Sequence, residues 1–192
     1  EQSMTSIQSP LIILDRDGVI NHDSDRYIKS PDEWLPIEGS LEAIARLTHA
    51  GWSVAVATNQ SGIERGLFDI NVLHAIHNKM MNAVAEKGGR IDGIFFCPHT
   101  ANTACSCRKP SPGLLKDISR RFGRPLNKTP IVGDSLRDLQ AGATLECDLW
   151  LVKTGKGLKT MAAAKDPATA LPAGTRVVDH LSAVVDHLLQ EQ

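Results

Sequence analysis

Leu11-Ile12-Ile13-Leu14-Asp15-Arg16-Asp17-Gly18 is the stretch that decides the fold. A short aliphatic run closed by a glycine turn reads as a buried strand whose last residues project into a cleft. Asp15 and Asp17 are separated by one residue at the C-terminal end of that strand, so the side-chain period of two points both carboxylates the same way. One carboxylate can attack phosphorus while the other manages the proton of the leaving group. Asp and Gly are also ordinary turn residues, so the motif needs support from the rest of the chain.

Two more apolar runs end in polar motifs. Val54-Ala55-Val56 leads into Ala57-Thr58-Asn59-Gln60, and Ile131-Val132 leads into Gly133-Asp134-Ser135-Leu136-Arg137-Asp138. Arg108-Lys109-Pro110 lies between them. The ordered set D-x-D, Thr, Lys, G-D-x-x-x-D resembles the haloacid dehalogenase-like phosphohydrolases, and the likeness runs from about Leu11 to Val152.

Between these motifs strands and helices alternate. Ser40 is expected to cap a helix with Leu41, Ile44, Ala45 and Leu47 on one face, closed by Gly51. The strand Trp52 to Ala57 follows. Asp69 caps a second helix through Leu73, Ile76, Met80 and Val84, stopped by Gly88-Gly89. Ile94 to Phe96 is a third strand, and Ser111-Pro112 opens a helix to about Gly123, with Pro at its first position. After the strand Ile131-Val132 come a short helix, Leu136 to Gly142, and a strand, Leu149 to Val152. A short strand at Val177-Val178 and a helix from about Ser182 to Leu189 close the chain. The predicted class is therefore α/β, a Rossmann-like haloacid dehalogenase fold with a parallel sheet covered by helices on both faces. The 192 residues are expected to form one domain, with a core over about 10–190. Asn21 to Pro36 is irregular and no stretch is long enough for a separate cap domain, so an open cleft is expected.

Composition narrows the function. With a net charge of −1 there is no global basic field for nucleic acid or a membrane surface. Nothing approaches a membrane span or a secretion signal, so a cytoplasmic setting is expected. Met4 is read as the natural start, preceded by three extra residues. A small soluble substrate and a monomer fit best.

Asp15 is assigned as the nucleophile, forming an aspartyl-phosphate, and Asp17 as the general acid and base. A hard divalent cation is needed to shield phosphate from carboxylates, and Mg2+ suits all-oxygen ligation. The family resemblance implies ligation by the side chains of Asp15 and Asp134 and the main-chain carbonyl of Asp17, with Asp138 orienting the cluster. Thr58 and the turn Asn59, Gln60 and Ser61 offer hydroxyl and N–H groups to phosphoryl oxygens. Lys109 balances charge as the phosphoryl group moves. Taken singly, Thr58 is also an ordinary strand residue and Lys109 an ordinary surface lysine.

Cys97-Pro98-His99 and Cys105-Ser106-Cys107 give C-x-H and C-x-C with five residues between them. Cys97, His99, Cys105 and Cys107 make a closed tetrahedral set, the form of a structural Zn2+ site. The bland alternative is a free histidine beside reduced cysteines. Zinc in such small sites contributes on the order of 10–16 kcal/mol and would staple a loop that runs directly into Arg108-Lys109.

The combined motifs resemble a zinc-loop branch of the family that includes heptose-bisphosphate and histidinol-phosphate phosphatases. That resemblance implies a sugar bisphosphate substrate, the β anomer favoured, in making a lipopolysaccharide heptose precursor. It also implies sugar contacts from Asp23, Ser24, Asp25 and Arg26 and substrate recognition by Arg108. Histidinol phosphate is the rival substrate. A polynucleotide 3′-phosphatase is disfavoured by the cysteine set, and a non-catalytic phosphosugar-binding module has little need for both Asp15 and Asp17. Some relatives carry Lys where this chain has Ser135, and Arg137 or Lys153 is the candidate replacement. Lys153 to Gly157 reads as a flexible strand exit, and His74 and His77 as helix packing residues.

Overall fold

The computed structural model describes residues 8–192; the expected start at Met4 lies outside them. Six strands form one parallel sheet in the order β3-β2-β1-β4-β5-β6. They are β1 (Leu11–Leu14), β2 (Ser53–Asn59), β3 (Gly93–Cys97), β4 (Pro130–Gly133), β5 (Asp148–Val152) and β6 (Arg176–Val178). The helices are α1 (Ser40–His49), α2 (Ile70–Glu86), α3 (Gly113–Phe122), α4 (Leu136–Thr144), α5 (Gly157–Ala163) and α6 (Leu181–Gln190).

Strand order reverses beside β1. The chain moves outward through β2 to β3, then returns through α3 to place β4 on the other side of β1. Such a switch opens a crevice beyond the carboxyl ends of the two strands. Asp15 follows β1 there and Asp134 follows β4, and Asp15 N donates to Val132 O at 3.0 Å to hold the strand ends in register.

Alternation along the strands builds a core on each face. Ile12, Leu14, Val54, Val56 and Trp150 pack with Ile44, Leu47, Ile76 and Val184 from α1, α2 and α6. Leu11, Ile13, Ala55 and Leu151 pack with Leu115, Ile118 and Leu139 from α3 and α4. Because both faces are covered, β1 is apolar throughout rather than alternating.

Several boundaries differ from expectation. Asp69 does cap α2, accepting from Val72 N at 2.9 Å. Ser40 does not cap α1: Gly39 holds the cap position at φ 85°, a backbone that favours glycine, and buried Ser40 donates its hydroxyl to Val19 O at 2.7 Å. Pro112 sits one place earlier than expected, at the cap of α3. β2 continues two residues beyond Ala57, because β3 pairs with it as far as Asn59–Cys97. The expected flexible exit after β5 leads into helix α5. The segment from Asn21 to Pro36 carries a single 3-10 turn, Pro31–Glu33, and no cap domain is present among the described residues.

Candidate active site

The ends of β1, β2 and β4 and the Arg108-Lys109 segment surround a cleft of about 230 Å3. Its walls include Asp15, Asp17, Thr58, Gln60, Lys109 and Asp134. Lys109 is 3% exposed, against the surface reading of a lone lysine. Its Nζ donates to Asp15 Oδ1 at 3.1 Å, to Asp138 Oδ1 at 2.5 Å and to Ala57 O at 2.9 Å. Burial alone would lower its pKa, but the two carboxylates outweigh it and raise it. The ammonium therefore stays charged.

Asp138 has a second task. Its Oδ2 accepts from Ser135 N at 3.2 Å and Ser135 Oγ at 2.8 Å, closing a capping box on α4. Its oxygens thus bond Lys109 and the helix start. Asp134 is held from the other side: Oδ2 accepts Lys156 N at 2.8 Å and its carbonyl accepts Thr160 Oγ1 at 2.7 Å. Both donors belong to the start of α5. Gly18 lies so close that a Cβ there would collide with the Asp134 carboxylate, and one at Gly155 would do the same.

Carboxylate oxygens of Asp15, Asp134 and Asp138 lie within 4.8 Å of one another. Burial first, and then the Asp138 charge, pushes Asp15 up to about 7 despite the opposing pull of Lys109. Burial, followed by the charges of Asp15 and Asp138, pushes Asp134 up to about 8. Crowded carboxylates of this kind fit a hard cation, which would supply the charge that lets them ionise together.

Asp17 lives in a different environment. Burial would raise its pKa, but the Arg16 guanidinium and hydrogen bonds from Asn21, Arg16 and Gln60 outweigh it, and the pKa is lowered. Oδ1 accepts from Arg16 Nε at 2.8 Å and Asn21 Nδ2 at 2.9 Å, whereas Oδ2 takes a long bond of 3.3 Å from Gln60 Nε2. Gln60 also donates to Thr58 Oγ1 at 2.9 Å. Asn59 clasps the main chain of Lys109, donating to its carbonyl at 3.2 Å and accepting from its N–H at 3.0 Å. The side chains of Asn59 and Gln60 therefore position other site residues.

Cys97, Cys105 and Cys107 bring their sulfurs within 4.8 Å of one another. One part of the expected zinc set differs. His99 lies outside the sulfur group, its Nδ1 4.0 Å from Glu64 Oε1, because Glu64 anchors this loop by accepting from Thr100 N and Thr103 Oγ1. Cys97 and Cys107 bring their sulfurs together, with Cα atoms 5.6 Å apart. Arg108 is tied to the same loop, donating from Nη1 to His99 O at 3.0 Å.

Asp23, Ser24 and Asp25 line the cleft as expected. Arg26 does not; it is exposed, with its N–H bonded to Ser24 Oγ. Tyr27, Arg65, Arg137 and Lys156 join the walls. Arg137 was one of two expected replacements for the lysine of some relatives; Lys153 instead pairs with Asp179 at 3.1 Å. Lys156 faces Asp23 at 3.5 Å. Arg65, Arg108 and Arg137 have no carboxylate within 4.0 Å among the described residues. Burial first, and then the nearby charges of Arg137 and Arg65, lowers the pKa of Arg108. A lone arginine on a loop or helix gives no sequence signal for such a role.

Comparison with known proteins gives a consistent picture. Residues 106–184 match a family model described as HAD-hydrolase-like. The chain is 58% identical to a D-glycero-beta-D-manno-heptose-1,7-bisphosphate 7-phosphatase of Bordetella bronchiseptica, covering 94% of this chain and 98% of the relative. A protein of the same description from Pseudomonas aeruginosa is 53% identical over 94% of this chain and 98% of its own length. The crystal structure of a D,D-heptose 1,7-bisphosphate phosphatase from B. bronchiseptica, complexed with magnesium and phosphate, aligns with a TM-score of 0.91 and 57% identity. That alignment covers 95% of this chain and 99% of the other.

Proposed function

The chain belongs to the D-glycero-beta-D-manno-heptose-1,7-bisphosphate 7-phosphatases within the haloacid dehalogenase-like hydrolases, and on that premise we propose its reaction and the role of each site residue. It is a phosphoric monoester hydrolase that removes the C7 phosphate of D-glycero-β-D-manno-heptose 1,7-bisphosphate. The observation that carries the choice of a bisphosphate is the trio Arg65, Arg108 and Arg137, without carboxylate partners on the cleft that holds the catalytic carboxylates. A substrate with a second phosphate satisfies those guanidiniums. Histidinol phosphate would bring its ammonium towards them, which disfavours it. A module that merely binds phosphosugars would gain nothing from setting Asp15, Asp17 and Asp134 against a phosphate.

Asp15 attacks phosphorus, and the bond from phosphorus to the sugar oxygen breaks as Asp17 delivers a proton to that oxygen. Water then attacks the aspartyl-phosphate, Asp17 takes its proton, and phosphate leaves with Asp15 restored. Asp17 must be protonated for the first half. Its partner Arg16 works against this, while the dianionic phosphate, a like charge beside it, works in favour. Thr58 holds the phosphoryl oxygens, with Ser61 N–H beside them, and Lys109, whose three N–H groups bond Asp15, Asp138 and Ala57, offers them its charge. Asp15 and Asp134 would hold Mg2+ through their carboxylates and Asp17 through its carbonyl. The ion supplies charge neutralisation for the carboxylates and the transferring phosphoryl.

In the reduced protein Cys97, Cys105 and Cys107 would hold Zn2+, with His99 as fourth ligand once its ring turns from Glu64 towards the sulfurs, and would fix the approach to Arg108. Asp23, Ser24 and Asp25 contact the sugar. On this reading the whole chain acts as one domain and as a monomer. Among the described residues no helix is long and apolar enough to cross a membrane. The fitting role is cytoplasmic, in supplying heptose for lipopolysaccharide. Phosphorus NMR of the bisphosphate during turnover tests the reaction: the C7 signal should vanish while the C1 signal persists, and loss of C1 phosphate first would refute it.

A further inference from the structure

We infer that His77, on α2, is a positioning residue for the proton-transfer step, acting on Asp17 through the buried Arg16. The inference rests on the assignment of Asp17 as general acid. Arg16 is fully buried and turns its Nε to Asp17 Oδ1 at 2.8 Å, with Nη2 also 2.8 Å from that oxygen. Its Nη1 lies 3.1 Å from His77 Nε2.

A guanidinium nitrogen can only donate, so His77 Nε2 must be the acceptor and the ring hydrogen must sit on Nδ1. His77 is 5% exposed, in a helix otherwise lined with Leu73, Ile76, Met80 and Val84 on its buried side. An aliphatic side chain would fill that space, so packing alone gives no reason for an imidazole. The groups facing the ring are Arg16, Asp17 and His74; burial first, and then Arg16, lowers the His77 pKa to about 3, which keeps the ring a neutral acceptor.

The geometric consequence falls on Asp17. Its Oδ1 is held by Arg16 and Asn21, which leaves Oδ2, with a single long bond from Gln60, for the leaving group. Arg16 Nη2 makes no well-directed hydrogen bond to protein, so beyond the contacts to Asp17 itself it is His77 that holds the guanidinium plane. Once the fork turns, Asp17 Oδ2 loses its fixed aim.

The test compares two leaving groups. An alkyl phosphate needs its oxygen protonated as it departs, whereas p-nitrophenolate leaves as a stable anion. The kcat/KM of each substrate reports the step up to leaving-group departure. In His77→Leu the ratio of kcat/KM for heptose 1,7-bisphosphate to that for p-nitrophenyl phosphate should fall by about tenfold or more. His77→Gln, whose carbonyl oxygen can replace Nε2, should restore the ratio, and His77→Asn, which reaches less far, should not. If His77→Leu fails to fold, the Gln and Asn variants decide. An equal fall for both substrates, or no difference between Gln and Asn, would overturn the inference. Should the wild-type protein ignore the heptose bisphosphate, the substrate reading fails by itself, and the ratio is taken on another alkyl phosphate that it does hydrolyse. Hydrolysis of no alkyl phosphate would overturn both.

Discussion

Lys109 Nζ donates to Asp15 Oδ1 at 3.1 Å although 94 residues of sequence separate them. The same ammonium bonds Asp138, so one buried cation joins the end of β1 to the start of α4. Three carboxylates and one lysine leave the cluster short of positive charge. That shortage is what suits it to a divalent cation and to a phosphate that brings its own demand for cations.

Asp15→Asn should lower turnover by about 1000-fold or more while the protein stays folded, because the amide cannot form the acyl phosphate. Circular dichroism and phosphate release on one preparation check this. Appreciable residual activity would remove Asp15 as nucleophile.

Removal of magnesium should make stability depend on pH between about 6.5 and 8. Asp15 and Asp134 have folded pKa values raised to about 7 and about 8 from 3.8. A raised carboxylate pKa means that the folded state holds protons the unfolded state has released, so stability is lost as pH rises through the folded values. Each group contributes up to about 1.4 kcal/mol per pH unit in that window. His77, with a folded pKa of about 3, works in the opposite direction only below about 6.5. Melting temperatures in EDTA should therefore fall from pH 6.5 to 8, and added Mg2+ should flatten the trend. A metal-free protein that gains stability over this range would contradict the cluster's electrostatics.

Cys107→Ser should lower both zinc content and melting temperature of protein purified under reducing conditions. Elemental analysis is expected to find about one zinc per native chain. Absence of zinc from the reduced native protein would remove the metal as the fastening of this loop.

Arg137→Ala and Arg65→Ala should each raise KM for the bisphosphate by about tenfold, the loss expected of one charge-assisted contact. KM for heptose 7-phosphate, which lacks the second phosphate, should change far less. Equal effects on both substrates would mean that the arginines do not read the second phosphate.

Much of this architecture is legible in local chemistry. β1 appears as an unbroken aliphatic run because it is buried on both faces, and Asp69 announces α2 because a cap needs that side chain at that place. Gly39 was harder to see as the cap of α1, since Ser40 beside it has the better capping side chain and only tertiary packing sends its hydroxyl to Val19. α5 escaped notice because its opening residues, Lys156 and Gly157, look like a loop; their value lies in the N–H offered to Asp134. The carboxylates and Lys109 carried motif signals. Arg137 was legible as a candidate replacement charge because it lies inside the last motif, Arg65 carried no signal as a cleft residue, and His77 read as packing because its partner is 61 residues away. The three sulfurs met as their spacing implies, while His99 was drawn to the outer side of the loop beside Glu64.

The most direct measurement is kcat/KM for phosphate release with Mg2+ from D-glycero-β-D-manno-heptose 1,7-bisphosphate and from histidinol phosphate, with Asp15→Asn as control. A strong preference for the bisphosphate, with one phosphate released per sugar and none from the control, is the predicted result. Preference for histidinol phosphate would contradict the reading of the arginine trio as a site for a second phosphate.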